Sequence, residues 1–170
     1  MAMTEDEVPA WIARLDAALE RLHRVPIASA TSSPEPDPIT GETWDQGNVL
    51  GHMADILPFW TGELAQVLAG KDWIGRGENG YQARLEAIQR GGQVAEGELR
   101  AEIDQGVAAA KTLIARLKPS DLDHGAEHRR ATETRLKTIR ELVDQLVVGH
   151  FESHVEQVER LHDPRRARPR

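Results

Sequence analysis

Cysteine is absent from the 170-residue chain, which excludes disulfides, zinc ribbons, iron–sulfur ligation and thiol nucleophiles. Long apolar runs are absent as well, and no stretch approaches the roughly 18 residues that a membrane-spanning helix needs. The first residues, MAMTEDEVPAW, are acidic and lack the apolar region of a signal peptide. We therefore expect a cytoplasmic protein that does not contact a membrane.

Basic residues are too few, and too unevenly placed, for a nucleic-acid-binding protein. The formal net charge is −7, and four of the 21 Lys and Arg residues lie within residues 164–170. The rest of the chain is therefore more acidic than the whole, and it would repel a polyanion. We predict one domain over residues 1–163, a basic disordered tail over residues 164–170, and no nucleic-acid partner.

Scarce aromatic residues (4%) and abundant Ala, Leu, Glu and Arg favour helices over strands. Apolar residues recur at helical spacing over residues 8–24, 43–70, 94–117 and 138–163, the second and fourth beginning with capping-box patterns at Thr43 and Thr138. A proline-rich linker (residues 32–38) follows the first helix. A glycine-rich loop (residues 71–92), with one short helix near residues 82–89, follows the second. Because one-sided helices bury their apolar faces against each other, we predict an all-α four-helix bundle with long connecting loops.

Three histidines interrupt the apolar stripes of this predicted bundle. His150 and His154 continue the stripe of the last helix, and His52 lies on or beside the inward face of the second. Imidazoles four residues apart share one helix face at about 6 Å from each other, so both can reach one metal ion. The alternative is that they are core residues hydrogen-bonded to their neighbours. His124 and His128 have the same spacing but fall in a predicted loop.

Two segments resemble signature motifs of the DinB/YfiT-like superfamily. WDQGNVLGHMAD, residues 44–55, is similar to the W…VLxHLAD motif that opens the second helix of that family. GHFESHVEQ, residues 149–157, is similar to the family's HxxxHxxQ segment. The motifs stand in the family's order and at its separation, and the likeness extends to about residue 162. The superfamily includes mycothiol-dependent maleylpyruvate isomerases and bacillithiol-transferase-like proteins.

This resemblance implies a metal-binding four-helix bundle in which His52, His150 and His154 are the ligands of one divalent ion. The family's metal is usually zinc or nickel, and a low-molecular-weight thiol is the implied cosubstrate. The implied reactions are thiol transfer, isomerisation or hydrolysis of a small molecule. Some isomerase-like members carry glutamate where this chain has His150, so membership in the isomerase branch does not follow.

Three neutral imidazole ligands also indicate Lewis-acid chemistry, independently of the family resemblance. They leave a divalent ion its full charge and an open coordination position, whereas structural zinc sites close with four protein ligands. Such an ion acts as a Lewis acid on a water or a thiol. No side chain stands out as a general base, so the sequence assigns no catalytic residue. We expect a small-molecule substrate, and a homodimer is compatible with this architecture.

Four further residues are candidates for positions around the ligands or the pocket. Asn48 and Asp55 lie one helical step before and after the second-helix histidine, Gln157 follows the last-helix pair, and Trp60 could line a pocket. The competing functional hypothesis is a bundle that binds metal or a ligand without turnover, in stress response or detoxification. The two hypotheses differ in whether an exogenous ligand reaches the metal.

Overall fold

Helices dominate the fold, as the composition predicts. The computed structural model is 72% helical with a small sheet, and it describes residues 7–27, 35–36, 41, 43–130 and 133–162. The predicted tail (residues 164–170) and all but two residues of the predicted linker lie outside this set. None of the described helices combines the length and apolar character that crossing a bilayer requires.

The helices of the described residues follow the four predicted segments, with shifted ends and one long addition. In chain order they are α1 (Glu7–Arg24), α2 (Gln46–Leu68), α3 (Glu78–Gly91), α4 (Glu96–Ile114), α5 (Pro119–Leu122), α6 (Ile139–Leu142), a π-helical segment (Val143–Val148) and α7 (Gly149–His162).

Short strands correct the all-α prediction. The strands of the described residues are β1 (Glu35–Pro36), β2 (Thr43–Trp44), β3 (Trp73–Ile74), β4 (Gly125–Arg129) and β5 (Thr134–Thr138). β1 and β2 form an antiparallel pair. β4 pairs parallel with β3 and antiparallel with β5, which makes a three-stranded sheet. The sequence predicts a loop at β4 and β5 because neither strand shows the run of apolar residues that marks a buried strand: only Ala126 and His128 of β4 are buried.

The first turn of α2 lies later than the predicted capping box at Thr43. Thr43 belongs to β2, and Asp45 is the residue that caps the helix. The Asp45 carboxylate accepts from the backbone N–H of Asn48, and the Asn48 side chain accepts from the backbone N–H of Asp45. The capping box at Thr138 is confirmed, because the Thr138 hydroxyl accepts from the Glu141 N–H and the Glu141 carboxylate accepts from the Thr138 N–H.

α3 occupies most of the segment that the sequence predicts as a loop with a short helix. The sequence predicts a loop here because residues 71–92 hold five of the 14 glycines, yet one of them, Gly91 at the end of α3, allows the backbone of α3 to touch that of α2 at Gly47 and Gly51. A Cβ on Gly51 would lie 2.2 Å from the carbonyl oxygen of Ala87, and a Cβ on Gly91 would lie 2.0 Å from that of Gly47. The loop prediction fails at Gly91 because this glycine serves close packing between helices.

α2 is the central helix of the described fold. It packs against α3, α4 and α7, while α1 packs against α4 and α7. Ion pairs reinforce the contact of α1 with the last helix: Arg14 binds Asp144 and Glu152, and Arg21 binds Glu159. The largest fully buried side chains come from α1, α2, α4 and α7, with others from β2 and α6, and include Trp44, Phe151, Leu15, Leu22, Leu50, Met53, Leu57, Leu99, Ile103 and Ile139.

A π-helical turn precedes α7. The backbone N–H of Gly149 donates to the carbonyl of Asp144, a bond that spans five residues instead of four. Val143, Leu146, Val147 and Val148 are all buried, so this wider turn buries more consecutive side chains than one face of an α-helix does. Single π turns inside α-helices are rare and are frequent at functional sites. Here the turn stands immediately before the first histidine of the predicted pair.

The close contact between α2 and α3 predicts opposite effects for two glycine substitutions in one helix. Gly51→Ala places a methyl group into the α3 backbone and should lower the free energy of unfolding by about 1–3 kcal/mol. Gly62→Ala has nothing within 4 Å of the added methyl group and should raise it by about 0.5–1 kcal/mol. Urea unfolding followed by circular dichroism measures both, and equal effects would contradict the close backbone contact.

Candidate metal centre

Three imidazoles meet between α2 and α7. His52 projects from α2, and His150 and His154 project from the start of α7. One ring nitrogen of each lies within 4.8 Å of those of the other two. The ring centroid of His154 is 4.7 Å from that of His52 and 4.7 Å from that of His150. The structure thus brings together the three histidines that the sequence singles out.

Burial keeps His52 and His150 neutral. His52 is 3% exposed and His154 is 9% exposed, while His150 is partly exposed. Burial, followed by the neighbouring imidazoles, lowers the pKa of His52 far below its ordinary value of 6.5. Burial, followed by His154 and Arg76, lowers the pKa of His150 to about 3. Neutral imidazole is the form that binds a metal ion, so protons do not compete for His52 and His150 near pH 7.

Gln157 orients one of the three rings. Its side-chain oxygen lies 2.9 Å from Nδ1 of His154, and both side chains are buried. Because an amide oxygen only accepts, Nδ1 carries the proton and Nε2 offers its lone pair to the cluster. Histidine ligands of metal ions commonly have their second nitrogen held in this way. Gln157 therefore contacts one of the three candidate ligands.

His52 contributes a buried nitrogen whose hydrogen-bonding capacity is unused. Its Nδ1 has no hydrogen-bond partner in the structure. Leaving such a group unsatisfied costs about 1–3 kcal/mol. The indole of Trp44, which is 1% exposed, covers this side of the cluster, with ring centroids 5.2 Å from His52 and 6.2 Å from His154. A metal ion on the imidazoles would remove this cost in a place that Trp44 shields from water.

The donor set fits zinc or nickel. Zinc–nitrogen bonds of about 2.0–2.1 Å set coordinated nitrogens roughly 3.4 Å apart in a tetrahedral site. The ring nitrogens here lie within 4.8 Å of one another, a wider limit than the tetrahedral separation. Ring rotations that move each nitrogen by about 1 Å would close the difference. Imidazole ligands suit zinc, copper, iron and nickel, whereas calcium and magnesium require oxygen ligands.

Two of the predicted neighbours of His52 have partners elsewhere. Asn48 completes the cap of α2, and its side-chain amide donates to the carbonyl of Ile88 in α3 at 2.9 Å. Asp55 accepts from Arg76 at 2.5 Å. Both side chains therefore tie α2 to neighbouring segments instead of hydrogen-bonding to an imidazole of the cluster.

Trp60 and the second histidine pair lie away from the cluster. Trp60 is 8% exposed and packs edge-to-face on His128 of β4, with 5.5 Å between ring centroids. His128 is buried, and burial lowers its pKa. His124 is exposed and precedes β4. His128 is thus a core histidine within a sheet, so its spacing from His124 does not follow one helix face.

The structure adds residues that sequence reasoning does not place at the site. Trp44 lies inside the motif that carries the resemblance, and this position is its only sequence signal. Arg76 follows β3 in a glycine-rich stretch, which indicates an exposed side chain, yet that side chain is only 6% exposed. Arg84 lies on α3 with its guanidinium carbon 5.2 Å from the Trp44 ring centroid. Their proximity to the histidines follows from the packing of α3 and β3 on α2.

Comparison with known proteins shows the fold alone. No family model and no curated protein matches the chain. A crystal structure of a protein from Streptococcus pneumoniae, determined in a structural genomics programme, is similar, with a TM-score of 0.56. The match covers 95% of this chain and 94% of that one, at 12% sequence identity. The described part of the chain therefore shares its overall fold with that structure.

Acidification should destabilise the metal-free protein through its buried imidazoles. In the unfolded chain His52 and His150 take up protons near pH 6.5, whereas the folded state keeps both neutral. The unfolded state then binds more protons, so the free energy of unfolding falls as the pH falls below 6.5. The slope is about 1.4 kcal/mol per pH unit for each group. Urea unfolding between about pH 7 and pH 5, above the range where carboxylates dominate, measures this slope.

Matched variants assign the slope to the cluster. His150→Phe removes a histidine that binds a proton in the unfolded state but not in the folded state. The free energy of unfolding of this variant should therefore depend less steeply on pH than that of the unmodified protein. His162→Phe, at an exposed position near the end of α7, should leave the slope unchanged. Parallel curves for the unmodified protein and His150→Phe would show that the imidazole is not held neutral by the fold.

Proposed function

We propose that the protein is a metal-dependent enzyme of the DinB-like class that acts on a small molecule in the cytoplasm. His52, His150 and His154 hold one zinc or nickel ion. The reaction is an S-transfer or isomerisation that uses a low-molecular-weight thiol, or a hydrolysis. The observation that carries the proposal is the convergence of three imidazole nitrogens within 4.8 Å of one another in a buried site.

The arrangement of the helices supports the DinB-like assignment. Four long helices, formed by α1, α2, α4 and the continuous run from α6 to α7, pack on one another in pairs around the central α2. This packing is compatible with a four-helix bundle whose ligands project inward from two facing helices. The histidines also occur within the two segments that resemble the DinB/YfiT-like motifs.

The chemistry follows from what each side chain can do. When bound, the ion would supply Lewis-acid chemistry, which favours the thiolate form of a thiol and polarises a carbonyl group. Gln157 holds His154 in the tautomer that presents Nε2. Trp44 limits the access of water from one side. His150, the partly exposed ligand, lies on the side from which a small molecule can approach.

A bundle that binds metal or a ligand without turnover is the second candidate. The depth of His52 and His154 favours it, because an ion sealed by the core would stabilise the fold without meeting a substrate. The protein loaded with Co²⁺ separates the two functions, since a thiolate that reaches the ion produces a charge-transfer absorption band. Growth of this band with added 2-mercaptoethanol supports the enzyme, and its absence at saturating thiol supports the non-catalytic bundle.

Elemental analysis tests the metal site directly. The purified protein should retain about one zinc or nickel ion per chain after dialysis against a mild chelator. The double variant His150→Ala, His154→Ala should lose the ion while circular dichroism shows that its helices persist. The matched control His124→Ala, His162→Ala removes two histidines from exposed positions and should keep the ion. Absence of metal from the unmodified protein after reconstitution would make the three histidines core residues and contradict the proposed function.

Gln157 should control metal affinity without contacting the ion. Gln157→Leu removes the acceptor of the His154 Nδ1 proton and should weaken zinc affinity about 10–100-fold in a competition titration with a chromophoric chelator. Gln157→Glu keeps an acceptor oxygen and should restore most of the affinity. Glu156→Leu, the same replacement at the exposed neighbouring position, is the control and should have no effect. Equal affinities for all of these proteins would remove Gln157 from the site.

A further inference from the structure

An open groove, the α2–α4 groove, lies between α2 and α4 and has a volume of about 700 Å³. It is lined by five residues of α2 between Ala54 and Ala65, and by α4 from Glu102 to Arg116 in the turn that closes this helix. Along α4 the lining extends for about 20 Å. A Cβ on Gly62 would meet nothing within 4 Å, so no part of the described chain fills the groove there.

The lining of the α2–α4 groove differs in composition from the rest of the chain. Charged residues make up 29% of the sequence. Among the twelve described residues that line the groove, however, only Glu102 and Arg116 are charged, and they stand at opposite ends. Between them α4 contributes the small residues Gly106, Ala109 and Thr112. A centre depleted of charge, with charged residues at its rim, is typical of a protein–protein interface.

The α2–α4 groove lies on the side of α2 that faces away from the candidate metal centre. Ala54 and Pro58 line the groove and follow His52 by two and six residues. At about 100° per residue these steps correspond to rotations of about 200° and 240° around the helix axis. Gly106 fixes the floor of the groove, because a Cβ there would lie only 3.2 Å from the Cβ of Leu57. A partner in the groove would therefore leave the three imidazoles uncovered.

The two charged residues of the groove are placed symmetrically about Ala109. Glu102 stands seven residues before it and Arg116 stands seven residues after it. When two identical helices pack antiparallel about a two-fold axis, residues at equal distances before and after the axis position face each other. An axis at Ala109 sets Glu102 of each copy opposite Arg116 of the other, and Gly106 opposite Thr112. A parallel pair in register would instead set like charges against each other.

Each end of the groove has a charge that the single chain does not neutralise. At one end Arg90 binds both Glu98 and Glu102, so these three residues carry one surplus negative charge. At the other end Arg116 is exposed, and it forms no ion pair with any other described residue. The antiparallel arrangement places the surplus carboxylate of each copy beside the unpaired guanidinium of the other. Such complementarity fixes the register of an interface and disfavours other partners.

We propose that the α2–α4 groove is the interface of a homodimer, in which α4 of a second copy packs antiparallel on α4 about a two-fold axis at Ala109. The α2 and α4 helices of both copies then form a four-helix arrangement, and the small residues let them approach closely. This inference goes beyond the proposed function, because it concerns a surface that the metal centre does not use. Helix faces of about 20 Å form a small interface, so we expect a dissociation constant in the micromolar range.

Sedimentation equilibrium of the full chain tests the dimer. The unmodified protein should sediment with twice the mass of the chain at concentrations above the dissociation constant. Ala109→Arg places two large cations against each other at the axis and should give the monomer. Because Ala109 is exposed in the single chain, circular dichroism should show an unchanged fold. Ala108→Arg, at the exposed neighbouring position that does not line the groove, is the matched control and should stay dimeric.

Charge reversal tests which residues face each other. Arg116→Glu and Glu102→Lys should each raise the dissociation constant about tenfold or more, because like charges then meet at both ends of the interface. An equimolar mixture of the two variants should recover the affinity of the unmodified protein, since opposite charges face each other again in the mixed dimer. Recovery depends on the contact between the copies, and a variant that only misfolds does not show it.

A dimer that Ala109→Arg separates, that Ala108→Arg keeps and that the mixed variants restore supports the inference. A monomer at all concentrations up to about 1 mM overturns it. A dimer that Ala109→Arg leaves intact also overturns it, because its interface then lies elsewhere. If the monomer binds the fluorescent apolar probe anilinonaphthalenesulfonate and Ala109→Arg abolishes that binding, the groove belongs to a small-molecule ligand and not to a second copy. Failure of the mixture to recover the dimer overturns the antiparallel arrangement.

Discussion

The desolvation of three imidazoles between α2 and α7 is the constraint on which the rest of the structure depends. An imidazole taken out of water must be neutral and must find partners for its nitrogens. Gln157 is one such partner, and Trp44 closes the space around the rings. The same requirement makes α2 the central helix, since it must meet α7 at the histidines while it also carries α3 and α4 on its other sides. The residues that stabilise the core and the proposed metal ligands thus occupy the same buried volume.

The sequence predicts the long helices well because their apolar residues fall on one side, and it predicts the histidines because they interrupt that side. It fails where a residue type has more than one use. Gly91 lies in a segment predicted as a loop but instead packs α3 on α2, and Thr43 belongs to a strand although it resembles a cap. Three of the described strands have only two residues each, β5 has no buried residue, and β4 buries only Ala126 and His128, so none of these strands shows an apolar alternation in the sequence. Arg76 is buried beside Asp55 for reasons of tertiary packing that no local pattern records.

The small sheet and α3 pack on one side of α2, so the surroundings of this helix differ from one side to the other. A bundle alone would present similar surfaces at each interhelical groove, whereas here one side of α2 receives a loop, a helix and a sheet edge. Glu63, 7% exposed, binds Lys71 and the backbone N–H of Gly75, and so fastens the start of this region to α2. Gly75 has a φ of 142°, and a Cβ there would lie 2.2 Å from the carbonyl of Arg129. Only glycine therefore fits at position 75, and its backbone conformation fixes the direction in which the chain continues to Arg76.

The π turn before α7 has a consequence for how this chain is aligned with others. A turn closed by a five-residue bond contains one residue more than an α-helical turn, and one residue corresponds to a rotation of about 100°. The count of residues from the cap at Thr138 to His150 is therefore tied to the presence of that turn. A protein with the same architecture but an uninterrupted helix would need its first histidine one position earlier to face α2. An alignment without a gap in this helix would then pair a candidate ligand of one chain with a residue of the other chain that is not a ligand. A metal site common to both proteins would be missed.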